Sequence, residues 1–162
     1  MKTLSIIFFV LFTTSSFAQT SPNYADIRLV EAADYKIADS FALQASNFLF
    51  ATPFEKNNVQ RLRSLSFIIR WMTGTPDYSF TLDEVATKST KGNEDLLGLY
   101  MAAMTKYSLE NKESSKDQKL VKLNALTILL NYCEDAGNNI KMTKQLKKLS
   151  EAKAKGQLEQ SI

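Results

Sequence analysis

The sequence of 162 residues contains no histidine. Nucleophilic sites of the Ser-His-Asp and Cys-His kinds need an imidazole as their base, so both are excluded. Histidine is the usual ligand of catalytic zinc and of haem, so such sites are not expected in this chain. A pH switch based on the titration of an imidazole is excluded for the same reason. No G-x-x-x-x-G-K-[ST] or G-x-G-x-x-G pattern for binding phosphate or dinucleotides occurs either. We therefore expect no cofactor, no metal and no enzymatic activity.

Cysteine is represented once, by Cys133. A single cysteine cannot form a disulfide within the chain, so a small domain of this kind must rely on its hydrophobic core. Two interpretations of Cys133 remain open. It is either a small buried apolar residue of a helix or a reactive thiol able to link two chains.

Glycine and proline are scarce, with five and three residues. Four of the glycines stand where a helical pattern stops or a new one begins: Gly74, Gly92, Gly137 and Gly156. Glycine is favoured just after a helix because it adopts the left-handed conformation without a steric clash. This placement predicts helices joined by short connections and gives no indication of a sheet.

The start of the chain has the layout of a cleaved secretory signal peptide. Lys2 is followed by the short apolar run 4–12, and the small residues Ser16 and Ala18 precede the expected cleavage point. A permanent membrane helix needs about 20 apolar residues, which this run does not supply. We expect export to the periplasm or beyond, removal of residues 1–18 and no membrane anchor afterwards.

Charge is nearly balanced over the mature chain. Lys2 is the one charged residue of the signal segment, so 19 basic and 17 acidic residues remain. A net charge of +2 does not favour nucleic acid or a membrane surface as partner. Lysine is concentrated near the C-terminus, either on a solvated helix face or on a second surface for an acidic partner.

Apolar periodicity predicts a single all-α domain over residues 19–156, followed by a frayed tail over 157–162. Capping boxes are predicted at Thr81 with Glu84 and at Ser115 with Gln118, and Asn93 is predicted to cap a further helix. The fifth helix is the most apolar and is expected to be central. The predicted helices cover 24–50, 55–73, 81–88, 93–110, 116–136 and 140–155.

Two helices have a buried face that the spacing of apolar residues identifies. For the first helix the predicted stripe contains Ile27, Val30, Ile37, Phe41, Ala45 and Phe48. For the second it contains Val59, Leu62, Leu65, Ile69 and Met72, with the arginines at its margins.

Short connections favour antiparallel neighbours, so we expect an irregular antiparallel bundle of five to six helices. A short tetratricopeptide-like stack of hairpins is the alternative. Residues 97–100 (LGLY) loosely match its Leu-Gly-x-x-Tyr element, but no second copy follows at a period near 34.

Two segments carry a resemblance to known sequences. The junction Ser16–Gln19 is similar to secretory signals common in Bacteroidota, where glutamine often follows the cleavage site. Residues 67–78 (FIIRWMTGTPDY) through 96–100 (LLGLY) resemble small secreted proteins of that group that have no assigned function. The resemblance implies export and an all-helical fold, and it brings no catalytic residue.

The strongest candidate for a binding feature is the loop around residues 70–80. It contains Arg70, Trp71, Asp77 and Tyr78, which are residue types that dominate interface hot spots. The alternative is that its aromatic side chains close the end of the bundle.

These features favour an exported binding or accessory module whose partner is another exported protein. One alternative is a glycan hydrolase with two carboxylates roughly 5 to 10 Å apart in a cleft. Another is a folding or inhibitory helper, which predicts an exposed apolar patch. The spacing Ser150-x-x-Lys153 and the oxygen-rich residues 77–84 match catalytic and calcium patterns only by chance.

Overall fold

The computed structural model describes residues 22–162, so the predicted signal peptide over 1–18 lies outside the described residues. Within that range the chain is all-helical and contains no strand, which confirms the predicted class. Single turns of 3-10 helix occur at Tyr24–Asp26, Ala136–Asn138 and Glu159–Ser161. The six α-helices are α1 (Ala32–Ala51), α2 (Val59–Gly74), α3 (Glu84–Thr90), α4 (Glu94–Glu110), α5 (Gln118–Glu134) and α6 (Lys144–Ala154).

Helices α2 to α6 each begin after a residue whose side chain accepts a hydrogen bond from an amide of the first turn. Asn93 caps α4 as predicted, through the amide of Leu96 at 3.0 Å. The caps predicted at Thr81 and Ser115 are wrong, because Asp83 and Asp117 take these positions two residues later. Aspartate is the stronger cap here, since its charge also interacts favourably with the helix dipole.

The first helix starts later than its apolar pattern predicts. Residues 22–31 instead form an N-terminal arm with one 3-10 turn, and α1 begins at Ala32. Val30 and Ile37 of the predicted stripe are exposed. The buried face is mostly alanine, which lets neighbouring helices approach closely. Its members are Ala38, Ala42, Ala45, Ser46 and Leu49.

The predicted inner face of the second helix is wrong for three of its five residues, while Leu65 and Met72 do pack against the core. Val59, Leu62 and Ile69 point outward and are exposed. The buried residues of α2 lie on the adjacent face, and they include an arginine that the pattern assigned to the margin. They are Arg61, Ser64, Phe67, Ile68 and Trp71.

Helices α1 and α2 form an antiparallel hairpin. Arg61 near the start of α2 donates to Leu49 O near the end of α1, at 3.0 Å. Trp71 near the end of α2 donates to Tyr35 O near the start of α1, at 3.3 Å. Gly74 ends α2 as predicted, and a Cβ there would lie 1.9 Å from the Tyr35 hydroxyl oxygen, so a larger residue would require the tyrosine side chain to move.

Helix α4 runs parallel to α2, with the short helix α3 between them in the chain. Gly98 in its first half lies against Leu65, so closely that a Cβ would come within 2.5 Å of the leucine side chain. Beyond its end, Lys112 approaches Asp39, which is at the level of Trp71. The segment that contains α3 returns the chain to the level at which α2 begins. The helices together form a bundle.

The most buried helix is α4 rather than the predicted fifth helix. Ten of its 17 residues are buried, against seven of 17 in α5. Small residues such as Gly98, Ala102 and Ala103 allow α1, α2 and α5 to contact it from different sides. In α5, by contrast, Leu120 is exposed.

The C-terminal region packs against this core. α6 begins at Lys144 rather than near residue 140, after the Thr143 cap, and buries Leu146 and Leu149. In the tail that was expected to fray, Leu158 is buried and a 3-10 turn follows it. None of the helices within residues 22–162 combines the length and the apolar character that a membrane span requires.

Candidate functional site

The structure places Trp71 of the candidate loop in the core. Its side chain is 0 % exposed, and its indole N–H lies 3.3 Å from Tyr35 O and 3.2 Å from Asp39 Oδ1. The rings of Tyr78 and Phe80 pack on it, with centroids 5.5 and 5.9 Å away. The aromatic residues therefore close the end of the bundle, and Trp71 has no surface to offer a partner.

Arg70 is exposed, but its guanidinium holds the N-terminal arm in place. Its terminal nitrogens lie 3.5 Å from Tyr24 O and 3.2 Å from Ile27 O. The ring of the buried Tyr24 stacks on Phe67 of α2, with centroids 4.8 Å apart. The arm is thus fixed along α2, and the Arg70 guanidinium places a positive charge at the edge of the arm.

Asp77 and Tyr78 lie beside Asp39 of α1. Asp77 is exposed and Tyr78 is half-buried. Burial raises the pKa of Asp39, and the negative charge of Asp77 raises it further. The positive charge of Lys112 and the hydrogen bond from Trp71 lower this pKa and partly oppose the effect of burial. No local pattern links Asp39 to Trp71, 32 residues away, so only the folded chain shows the pair.

Both carboxylate oxygens of Asp39 have partners within the fold. Asp39 Oδ1 is engaged by the indole N–H, and Oδ2 lies 4.0 Å from Lys112 Nζ. A general acid must deliver its proton to a substrate in a cleft. A carboxylate bound by Trp71 and nearly covered by protein is better explained as a structural acceptor.

The raised pKa of Asp39 leads to a prediction for stability. Because the folded state favours the protonated form, the stability that Asp39 contributes is present below its unfolded pKa and lost as pH rises through the folded pKa. Asp39→Asn keeps an acceptor for Trp71 and removes the buried charge. We expect the free energy of unfolding to rise by about 0.5 kcal/mol at pH 7 and to match wild type at pH 3.

Urea denaturation at the two pH values measures this difference. A loss of stability of equal size at pH 3 and pH 7 would mean that the geometry of the Trp71 bond, and not the burial of charge, governs this position.

Two further sequence features have structural explanations. The Ser150 hydroxyl donates to Glu134 at 2.7 Å, and Lys153 Nζ lies 2.6 Å from the same carboxylate, so the serine and lysine are not arranged as nucleophile and base. Asp83 caps α3 and pairs with Lys122. Residues 22–162 contain no group of three or more acidic or cysteine side chains suited to a metal ion.

Cys133 is buried on α5, which answers the question that the sequence left open. Burial, with a smaller effect from the charge of Glu134, raises the pKa of its thiol to about 12. A cysteine reacts as the thiolate, and both the burial of Cys133 and the raised pKa of its thiol disfavour that form at neutral pH.

The outer face of α2 combines the features expected of a binding surface. Val59, Leu62 and Ile69 are 58 %, 52 % and 39 % exposed. A groove of about 510 Å³ runs between this face and the arm, from Val59 to Arg70. A second groove of about 410 Å³ continues past Arg70, along Ile69 to Gly74. We call these three apolar residues and the two grooves the α2 outer face.

The charged side chains that line the two grooves of the α2 outer face are all positive. Arg63 and Arg70 line the first groove and Arg70 lines the second, while neither lining includes a carboxylate. Helix α2 itself contains three arginines and no acidic residue. The surface therefore favours a negatively charged ligand or partner.

Comparison with family models, with curated proteins and with solved structures finds no match to this chain. Its function has to be inferred from its own geometry. Of the features found in residues 22–162, the α2 outer face is the one that joins exposed apolar side chains with concave grooves and charge of one sign.

Proposed function

We propose that the chain is an exported binding module and that the α2 outer face is its contact surface for another exported protein. The observation that carries the proposal is the exposure of Val59, Leu62 and Ile69 on a helix whose opposite face is already in the core. Large apolar side chains gathered on one face of a small domain commonly mark an interaction site.

The proposed contact surface differs from the loop around residues 70–80, which was the strongest candidate in the sequence. Trp71 is enclosed, so its replacement would test the stability of the bundle and not binding. Arg70 belongs both to the loop around residues 70–80 and to the α2 outer face, because it fixes the arm and also lines the grooves. The part of the proposal that concerns export rests on the signal-peptide layout of residues 1–18.

A folding or inhibitory helper is a narrower form of the same proposal, since it would also act through an exposed apolar surface. A glycan hydrolase receives less support, because Asp39 is occupied by Trp71 and Lys112.

Chemical crosslinking followed by capture from the native periplasmic and secreted fractions tests the proposal. We expect Leu62→Asp to reduce the yield of the crosslinked partner at least tenfold, because it places a charge in the centre of the apolar stripe. Ile37→Asp is the matched control, since Ile37 is equally apolar, is exposed on α1 and does not line the grooves. Its capture yield should equal wild type.

Both variants should retain the wild-type melting temperature within a few degrees, which separates loss of contact from loss of fold. Equal capture by wild type and Leu62→Asp, or no partner in any fraction, would refute the proposed function.

A further inference from the structure

The exposed residues of α2 follow the spacing of a helix-pairing seam. Residues 59, 62, 66, 69 and 73 are separated by three and four positions alternately, as the a and d positions of a heptad repeat are. Three of the five are the exposed apolar residues Val59, Leu62 and Ile69, and Ser66 between them is exposed. The seam spans roughly 21 Å at 1.5 Å per residue. A second helix laid along it would therefore meet three large apolar side chains, with Ser66 between them and Thr73 at the end.

Arg63 and Arg70 occupy the same heptad position, one residue after each d position, beside the seam. Charges at such flanking positions pair with charges of the opposing helix and select the partner. No carboxylate lines either of the two grooves in which Arg63 and Arg70 lie. An opposing helix would have to supply the acids.

From these two features, and resting on the proposed function, we infer that the α2 outer face receives an amphipathic helix of the partner protein. The apolar residues of that helix repeat at spacings of three and four and are flanked by glutamate or aspartate. The three apolar side chains give the contact area, and the two arginines give the preference for an acidic partner.

A second copy of this chain is a poorer occupant of the same surface. Pairing α2 with another α2 would add the arginines of the copy to the seam without any acid, because the helix contains none. Uncompensated like charges at an interface disfavour the pairing. We therefore expect the protein alone to be monomeric in analytical ultracentrifugation.

Two synthetic peptides of three heptads test the inference directly. Both carry leucine at the a and d positions, and one has glutamate at the flanking positions where the other has lysine. Fluorescence anisotropy with the protein 19–162 measures the two affinities, and amide chemical-shift changes locate the contact. We expect the acidic peptide to bind at least tenfold more tightly and to shift residues of α2 and the arm.

Arg63→Glu should weaken the acidic peptide at least fivefold and strengthen the basic one. Arg63 forms no ion pair or side-chain hydrogen bond within residues 22–162, so this change should leave the fold intact. Lys147→Glu on the exposed lysine face of α6 is the control, and it should leave both affinities unchanged. Added salt should weaken only the binding of the acidic peptide.

Four results would overturn the inference: equal affinity for both peptides, binding of neither, shifts confined to α6, or a dimer formed through α2. The proposed function is judged separately. If Leu62→Asp abolishes partner capture while the acidic peptide does not bind, the binding surface stands and the partner chemistry is wrong. If Leu62→Asp has no effect on capture, the surface itself is wrong.

Discussion

Replacing Trp71 with alanine is expected to lower the free energy of unfolding by about 3–5 kcal/mol. The indole is completely buried between Tyr78, Phe80 and the start of α1, and its removal leaves a large cavity. It also removes the donor of two hydrogen bonds, to Tyr35 O and Asp39. Because small domains are stable by only about 5–15 kcal/mol, the variant should be close to unfolding at 37 °C.

Urea denaturation followed by circular dichroism measures the effect, because the signal does not depend on the tryptophan. Asp77→Ala is the matched control, since Asp77 belongs to the same loop but is exposed. Its effect should stay within about 0.5 kcal/mol. A Trp71→Ala variant as stable as this control would contradict the buried position of the indole.

Replacing Arg61 with alanine is expected to cost about 3 kcal/mol of stability. Arg61 is only 5 % exposed, and its Nη1 lies 3.0 Å from Leu49 O, 3.0 Å from Thr52 O and 2.7 Å from Thr52 Oγ1. These bonds join the end of α1 to the start of α2. A buried carbonyl that loses its charged donor remains unsatisfied, and the helix dipole of α1 loses a favourable cation.

The guanidinium also lies over two aromatic rings, 5.6 Å from the centroid of Phe54 and 5.9 Å from that of Tyr132. Tyr132 itself donates to Thr52 O at 2.8 Å, so α5 is attached to the same connection. Loss of Arg61 should therefore loosen the contact of α5 as well. Faster amide hydrogen exchange around residues 49–54 and 132 would report this.

Arg63→Ala is the control for Arg61→Ala, because it removes the same side chain two residues away on the exposed side of α2. We expect a change within about 0.5 kcal/mol. Similar losses for the two variants would show that Arg61 does not connect the two helices.

The arginine pair shows where prediction from the sequence stops. Arg61 and Arg63 are alike in their local sequence, and the spacing of apolar residues predicts that both lie at the margins of the buried face of the second helix. Only the position of α1 makes Arg61 an internal donor. A buried arginine without a carboxylate partner leaves no signal in a single sequence, since its acceptors are backbone carbonyls.

Helix α2 illustrates the same limit for apolar residues. It has two apolar faces, one through Phe67, Ile68 and Trp71 and the other through Val59, Leu62 and Ile69. Periodicity finds both equally well and cannot choose between them. The choice depends on shape, because the small residues of α1 and Gly98 of α4 form the surface against which the larger side chains pack. The candidate binding surface follows directly from that choice.

The sequence by itself determined the features that depend on near neighbours in the chain: the helical class, the Asn93 cap, the end of α2 at Gly74 and the lack of an imidazole for catalysis. These depend on backbone hydrogen bonds and residue chemistry within a few positions. The tertiary structure alone decided which faces are buried, why α4 runs parallel to α2 and how Trp71, Asp39 and Arg61 are used. Those features depend on contacts between residues far apart in the chain, where the fit of large side chains against small ones settles the arrangement.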